Sequence, residues 1–229
     1  MKIAVIGTGT VGRTFASRLS GLGHDVVVGT REVAATLSRT QEARTGMPAY
    51  CEWQSEHPDV ALASFADAGA HAVVIINATS GIATLDALEA VGASNLAGKV
   101  LIDIALPLDG TPGQPRSLVL ANTDSLGEQI QRTFPDARVV KTLNTVFVEV
   151  MVDPSRLPGL HNVFVSGDDA EAKATVATLL GEFGWPSESV VDLGEIRTAR
   201  GVEMYSSLFF TLAGVLRTWD FNISIVRRT

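Results

Sequence analysis

The chain has 229 residues, 46% of them hydrophobic and 19% charged, and a formal net charge of −7. This length implies one domain, or one domain with a small appendage, and allows a core that needs no covalent staple. The single cysteine, Cys51, excludes an internal disulfide and a cysteine-rich metal site. The acidic balance argues against non-specific nucleic-acid binding, and no apolar run reaches the roughly 18 residues of a membrane helix, so the chain reads as cytoplasmic.

Lys2–Gly7 is a compact apolar strand, too short for a signal-peptide core. Thr10–Leu22 is helical, with Val11, Phe15 and Leu19 on one face and Gly21 and Gly23 stopping it. Asp25–Gly29 reads as the second strand and Glu32–Thr45 as a helix. Gly46–Asp59, with Pro48, Trp53 and Pro58, shows little periodicity and reads as a surface excursion. Ala63–Ala68 reads as a short connection, and Ala72–Asn77 is β-rich. Ile82–Val91 is a helix entered through Thr79-Ser80-Gly81, and Lys99–Ala105 is another β run. Pro107–Pro115 holds three prolines and two glycines and is a loop. Thr123 or Asp124 is the expected cap of a helix running to about Phe134, with Glu128 in its first turn. Arg138–Leu143 is a strand and Asp153–Gly159 a turn region. Asn162–Ser166, Asp168–Phe183, Ser189–Asp192 and Glu195–Trp219 follow as strand, helix, strand and long final helix.

The apolar runs do not alternate, as expected of strands buried on both faces of a parallel sheet. Their order predicts an α/β, Rossmann-type doubly wound sheet over residues 1–150. A small C-terminal α/β unit over 151–229 would end in the long helix and supply cleft and dimer contacts.

Gly7-Thr8-Gly9-Thr10-Val11-Gly12 is a GxGxxG between a strand and a helix. Gly7 permits the tight turn, Gly9 leaves room for a pyrophosphate, and Gly12 allows close packing. The helix N-terminus offers N–H groups and partial positive charge to phosphate. An NAD site wants a carboxylate at the end of the second strand, whereas an NADP site needs cations and hydroxyls there. Glu32 lies at roughly the spacing of the NAD-type acid. The strand, however, ends near Gly29, which places Thr30 and Arg31 at the ribose and Glu32 in the next segment. Position favours NADP(H) over NAD(H), with Gly29 making room.

Ligands of an open α/β sheet lie beyond the carboxyl ends of its strands. This nominates Asn77, Ala78, Thr79 and Ser80, then Ile104, Ala105, Leu106 and Pro107, then Leu143, Asn144 and Thr145, although each is equally a turn former. The four histidines are scattered without zinc-ligand spacing, and no nucleophile elbow is present. No catalytic side chain is nominated. That pattern suits hydride transfer between two cofactors, which needs positioning above all.

The segments KIAVIGTGTVGRTFASRLSGLGHDVVVGTR, VVIINAT, VLIDIALPL, VVKTLNT, VFVSGDDAEAK and VVDLGEIRTARGVE together resemble the NADPH-dependent reductases of the deazaflavin coenzyme F420, across nearly the whole chain. The resemblance implies an NADP-binding first domain. It also implies a small C-terminal domain that forms a cleft where deazaflavin stacks on nicotinamide, and a homodimer. It places Thr8, Gly9, Thr10 and Val11 at the pyrophosphate and Thr30 and Arg31 at the 2′-phosphate. Ala78 and Thr79 fall near the nicotinamide ribose and Ala105 near the nicotinamide. Archaeal-type members carry a histidine where this chain has Asn144. Two other classes stay open on the residues alone: a reductase of a small carbonyl or imine, and an NADP(H)-binding redox sensor.

Overall fold

The computed structural model describes residues 1–40, 46–109 and 116–228. The end of the expected Glu32–Thr45 helix and most of the Pro107–Pro115 loop lie outside these residues.

The chain runs β1 (Lys2–Ile6), α1 (Thr10–Gly21), β2 (Asp25–Thr30), α2 (Val33–Leu37), α3 (Tyr50–Glu56), β3 (Ala61–Ser64), α4 (Phe65–His71) and β4 (Val74–Asn77). It continues with α5 (Thr84–Val91), α6 (Ala93–Leu96), β5 (Val100–Asp103), α7 (Leu126–Thr133), β6 (Arg138–Thr142), α8 (Val148–Val152), β7 (Val163–Ser166), α9 (Ala170–Phe183), β8 (Val190–Asp192) and α10 (Ala199–Leu216). The strands form one sheet in the order β3-β2-β1-β4-β5-β6-β7-β8. All pairings are parallel except β6 with β7. The first six strands have the doubly wound order, whose reversal between β1 and β4 opens a crevice at the carboxyl ends.

The absence of alternation has the expected cause. Ile3 and Val5 of β1 enter the core on one face with Phe15, Leu19 and Trp53. Ala4 and Ile6 enter the core on the other with Phe65, Leu88 and Leu101. The segment after Met151 extends this same sheet. Val176, Leu179 and Phe183 of α9 share the first core with α1, and the Phe15 and Phe183 rings meet edge to face at 5.7 Å.

Several expectations are corrected. Gly46–Asp59 is not a surface excursion, because α3 buries Tyr50 and Trp53 against the sheet. Arg13 of α1 fixes the approach by donating to the Pro48 carbonyl at 2.7 Å. Helical spacing over only seven residues left too short a pattern to read. Ala63–Ala68 is no mere connection, since it straddles the edge strand β3 and α4, which Ser64 caps by accepting from Asp67 N–H. Of the helix expected from Glu32, the described residues show α2, Val33–Leu37, with Ser38, Arg39 and Thr40 outside it. The cap of α7 is Ser125 rather than Thr123 or Asp124. Its hydroxyl accepts from Glu128 N–H and donates to the Glu128 carboxylate, so one N-cap side chain serves both the backbone and the first-turn acid. The final helix starts at Ala199, after a single 3₁₀ turn, and ends at Leu216.

Candidate functional site

The GxGxxG turn joins β1 to α1 and is built around two close approaches. Gly7 has φ +125°, and a Cβ there would lie 2.7 Å from the Ala78 carbonyl oxygen. A Cβ on Gly12 would lie 2.0 Å from the Gly7 oxygen. Both positions require glycine for the protein's own packing. Gly9 differs, because a Cβ there meets nothing within 4 Å. The room at Gly9 faces outward, at the N-terminus of a 12-residue helix that has no side-chain cap. Thr8, Thr10 and Val11 are partly exposed around it. An open glycine against uncapped helical N–H groups fits a pyrophosphate.

The end of β2 is less simple than its sequence. Gly29 makes room for the protein and not for a ligand, since a Cβ there would press on Ile6, Ala68 and Phe65 at 2.8–3.3 Å. Thr30 is buried, with its hydroxyl 2.7 Å from that of Thr36 on α2. Arg39 Nη2 donates to the same Thr36 oxygen at 3.0 Å. Arg31 and Arg39 are both exposed, and among the described residues neither guanidinium is in an ion pair. Arg39 was not nominated by the sequence. It lies eight residues beyond Arg31, and only the turn of α2 brings it back to Thr36. Glu32 is the N-cap of α2, off the end of the strand.

Across the carboxyl ends of β4, β5 and β6, Asn77, Asp103 and Lys141 stand at the same register. All three are fully enclosed. Asn77 Nδ2 donates to Asp103 Oδ1 at 2.8 Å and to Thr84 Oγ1 at 3.2 Å. Asn77 Oδ1 accepts from the Thr79 hydroxyl at 2.7 Å and the Thr79 N–H at 3.3 Å. The Asn77 amide is thus committed within the protein, and it reaches the crevice through Thr79. Lys141 Nζ lies 2.9 Å from Asp103 Oδ2 and 3.0 Å from Glu203 Oε1 on α10, and it also donates to the Ala105 carbonyl. Burial pulls the Lys141 pKa down, but the Asp103 and Glu203 carboxylates outweigh it and hold the pKa above the ordinary lysine value. Ala105 N–H is taken by Asp103 Oδ1 at 3.1 Å. Asn144, also buried, donates to the Val202 carbonyl at 2.8 Å. Ala78 and Thr79 remain partly exposed beside the phosphate turn, where Ala78 N–H donates to the Ile6 carbonyl. The nominated residues thus lie along the carboxyl ends of the strands, with Gly9, Ala78, Thr79 and Arg31 exposed or partly exposed and Asn77, Ala105 and Asn144 buried.

No described helix is long and apolar enough to cross a membrane, and no metal-ligating cluster occurs among the described residues.

The family described as NADP oxidoreductase, coenzyme F420-dependent, matches residues 2–107. A solved structure from Arthrobacter sp. FB24, described as a candidate F420-dependent NADP reductase, is 56% identical, with a TM-score of 0.93 over 99% of this chain and 100% of that one. The F420-dependent NADP reductase of Methanothermobacter marburgensis is 27% identical over 93% of this chain and 92% of its own length. Rat metalloreductase STEAP3 is 28% identical over 88% of this chain, which spans 36% of that protein's length. An Aspergillus terreus reductive aminase solved with NADPH, at 18% identity and a TM-score of 0.61, shares the fold alone. With its glycine-rich phosphate turn, its doubly wound α/β frame and these matches, the chain belongs to the family of coenzyme F420-dependent NADP oxidoreductases.

Proposed function

We propose that this NADP-dependent oxidoreductase passes hydride between NADPH and coenzyme F420 or a closely similar flat deazaflavin or flavin ring. The observation that carries the reading is an open phosphate turn beside a row of buried polar groups already committed to one another at the carboxyl ends of β4, β5 and β6, an arrangement that leaves the reacting chemistry to the cofactors. NADPH supplies the hydride. The protein's part is to hold the donor, exclude water and fix the geometry, which suits a partner that is itself a redox cofactor.

In this reading Gly9 and the α1 N-terminus hold the pyrophosphate. Arg31 and Arg39 bind the 2′-phosphate, with Thr30 acting through Thr36 to anchor Arg39. Paired guanidiniums suit a dianionic phosphate better than a ribose diol. Ala78 and Thr79 flank the nicotinamide ribose, and the Ala105 and Asn144 segments form the floor. The protein acts in the cytoplasm, as its single cysteine suggests. It pairs with a second copy through the outer face of α10, where Met204, Leu208 and Val215 are exposed on one side of the helix. Sedimentation of the wild type against L208E/V215E tests the pairing: a monomeric wild type contradicts it.

The test of function mixes the protein with NADPH and, separately, F420, FMN, FAD, a ferric chelate and a cyclic imine. Turnover fastest with F420 supports the reading. Turnover confined to the ferric chelate or the imine overturns it.

A further inference from the structure

Every segment nominated for the nicotinamide half of the crevice hangs on one ammonium. Lys141 Nζ has three N–H donors, and three acceptors surround it: Asp103, Glu203 and the Ala105 carbonyl. Asp103 passes the connection to Asn77 and to Ala105 N–H, and Asn77 passes it to Thr79. On the other side, Glu203 accepts the N–H groups of Leu126 at 2.9 Å and Gly127 at 3.1 Å, the first two residues of α7. It directly follows Val202, which receives Asn144. One buried row therefore ties β4, β5, β6, α7 and α10 together at the ligand end of the sheet.

Stability alone is a poor reason for such a row. A buried ion pair seldom outperforms apolar residues of the same volume, and one residue earlier the same three strands carry Ile76, Ile102 and Val140. The backbone beside the row is also strained. Leu143 has φ 61° although it is not glycine, and Asn144 N–H closes on the Thr142 carbonyl at 2.8 Å across it. This is the rare positive-φ form of the γ-turn. Such strain persists where the surroundings over-determine it, most often at functional sites.

We propose that Lys141 is the positioning residue of the hydride-transfer site. Fully enclosed, it touches neither cofactor nor acceptor. It fixes the Asn77–Thr79, Ala105 and Asn144 segments relative to one another, so that the nicotinamide meets a rigid floor. The proposal rests on the NADP(H) reading above. Misplacement by about 1 Å is enough to cost roughly a hundredfold in rate.

The variant K141M/D103N removes the ion pair while keeping its volume. It leaves Glu203 on the α7 N–H groups. E203Q is the milder cut. Three readouts are compared with the wild type: the dissociation constant of 2′,5′-ADP, the fluorescence anisotropy of bound NADPH, and kcat with its isotope effect from 4-deuterated NADPH and F420. The expected result for K141M/D103N is a 2′,5′-ADP affinity within about twofold, lower anisotropy, and kcat down about tenfold or more with a larger isotope effect. E203Q is expected to move the same way by less. A merely structural role would reduce the fraction of active protein and leave KM, anisotropy and isotope effect unmoved. Wild-type anisotropy and kcat in K141M/D103N overturn the proposal. So do wild-type values in E203Q if the double variant fails to fold, and so does loss of fold in both. Wild-type protein that binds NADPH but turns over no acceptor defeats the hydride reading, while the anisotropy comparison still judges Lys141. Wild-type protein that binds no NADPH defeats both.

Discussion

The Lys141 ammonium and the Asp103 carboxylate lie 2.9 Å apart at paired positions of β6 and β5, both wholly enclosed. Removing the lysine alone leaves two carboxylates, Asp103 and Glu203, with one cation fewer in a place water does not reach. K141M should therefore destabilise the protein by about 3–5 kcal/mol, and K141M/D103N by clearly less, because no uncompensated charge arises from Asp103. Urea unfolding midpoints of the two variants check this. Equal losses would mean that the pairing contributes nothing beyond volume.

Two glycines three residues apart should respond in opposite ways. G12A forces a methyl to 2.0 Å from the Gly7 carbonyl, which should lower the melting temperature by several degrees and weaken NADPH binding as the turn moves. G9A places its methyl in open space. Its melting temperature without ligand should stay near that of the wild type, while NADPH binding falls because the methyl occupies pyrophosphate space. Unimpaired NADPH binding in G9A would show that the pyrophosphate does not sit at this turn.

Arg31 and Arg39 should discriminate between the two dinucleotides. R31A and R39A should each weaken NADPH binding by roughly tenfold or more, in line with about 1.5–3 kcal/mol for a hydrogen bond to a charged group. NADH binding should hardly change. T36V, which removes the hydroxyl that anchors Arg39, should reproduce part of the R39A effect. Titrations with both nucleotides measure it, and an equal loss for NADH would show that the arginines do not read the 2′-phosphate.

Stability should fall on acidification through Glu128. The Arg200 guanidinium beside it, helped by the Ser125 hydroxyl, holds its carboxyl below the ordinary glutamate value against the opposing effect of burial. A carboxyl depressed in the folded state stabilises the fold at pH values above the unfolded pKa of about 4.3, and this contribution is lost as pH falls through the lower folded value. The stability gap between wild type and E128Q should thus be full at pH 6–7, by linkage, and close on acidification. Urea midpoints across that range read it, and a gap that widens toward low pH would contradict the assignment.

Local spacing in the sequence carries part of this architecture, and contacts distant along the chain carry the rest. The β1–turn–α1–β2 unit carries its own punctuation, so the glycine-rich turn and the strands on either side of it follow from local spacing. The helix α3 and strand β3 were missed because seven and four residues are too few to show a period. Gly29 was read for a ligand when its neighbours are Phe65 and Ala68, contacts made only by tertiary packing. The row Asn77, Asp103 and Lys141 was partly visible, since each strand ends its apolar run on a single polar residue: VIIN, VLID, RVVK. A terminal charge on a strand reads as exposed, and only the register, together with α10 closing over it, shows that it is not. Arg39 needed the turn of α2 to be seen at all.

NADPH should pass its hydride directly to a ring bound beside it. The measurement that meets it head-on is a single turnover with F420 and each of the two 4-deuterated NADPH stereoisomers, followed by mass analysis of the reduced deazaflavin. Deuterium is expected in the product ring from one stereoisomer only, because a fixed floor presents one face of nicotinamide. Reduced product that carries solvent hydrogen in place of label, or label from both stereoisomers alike, would contradict it.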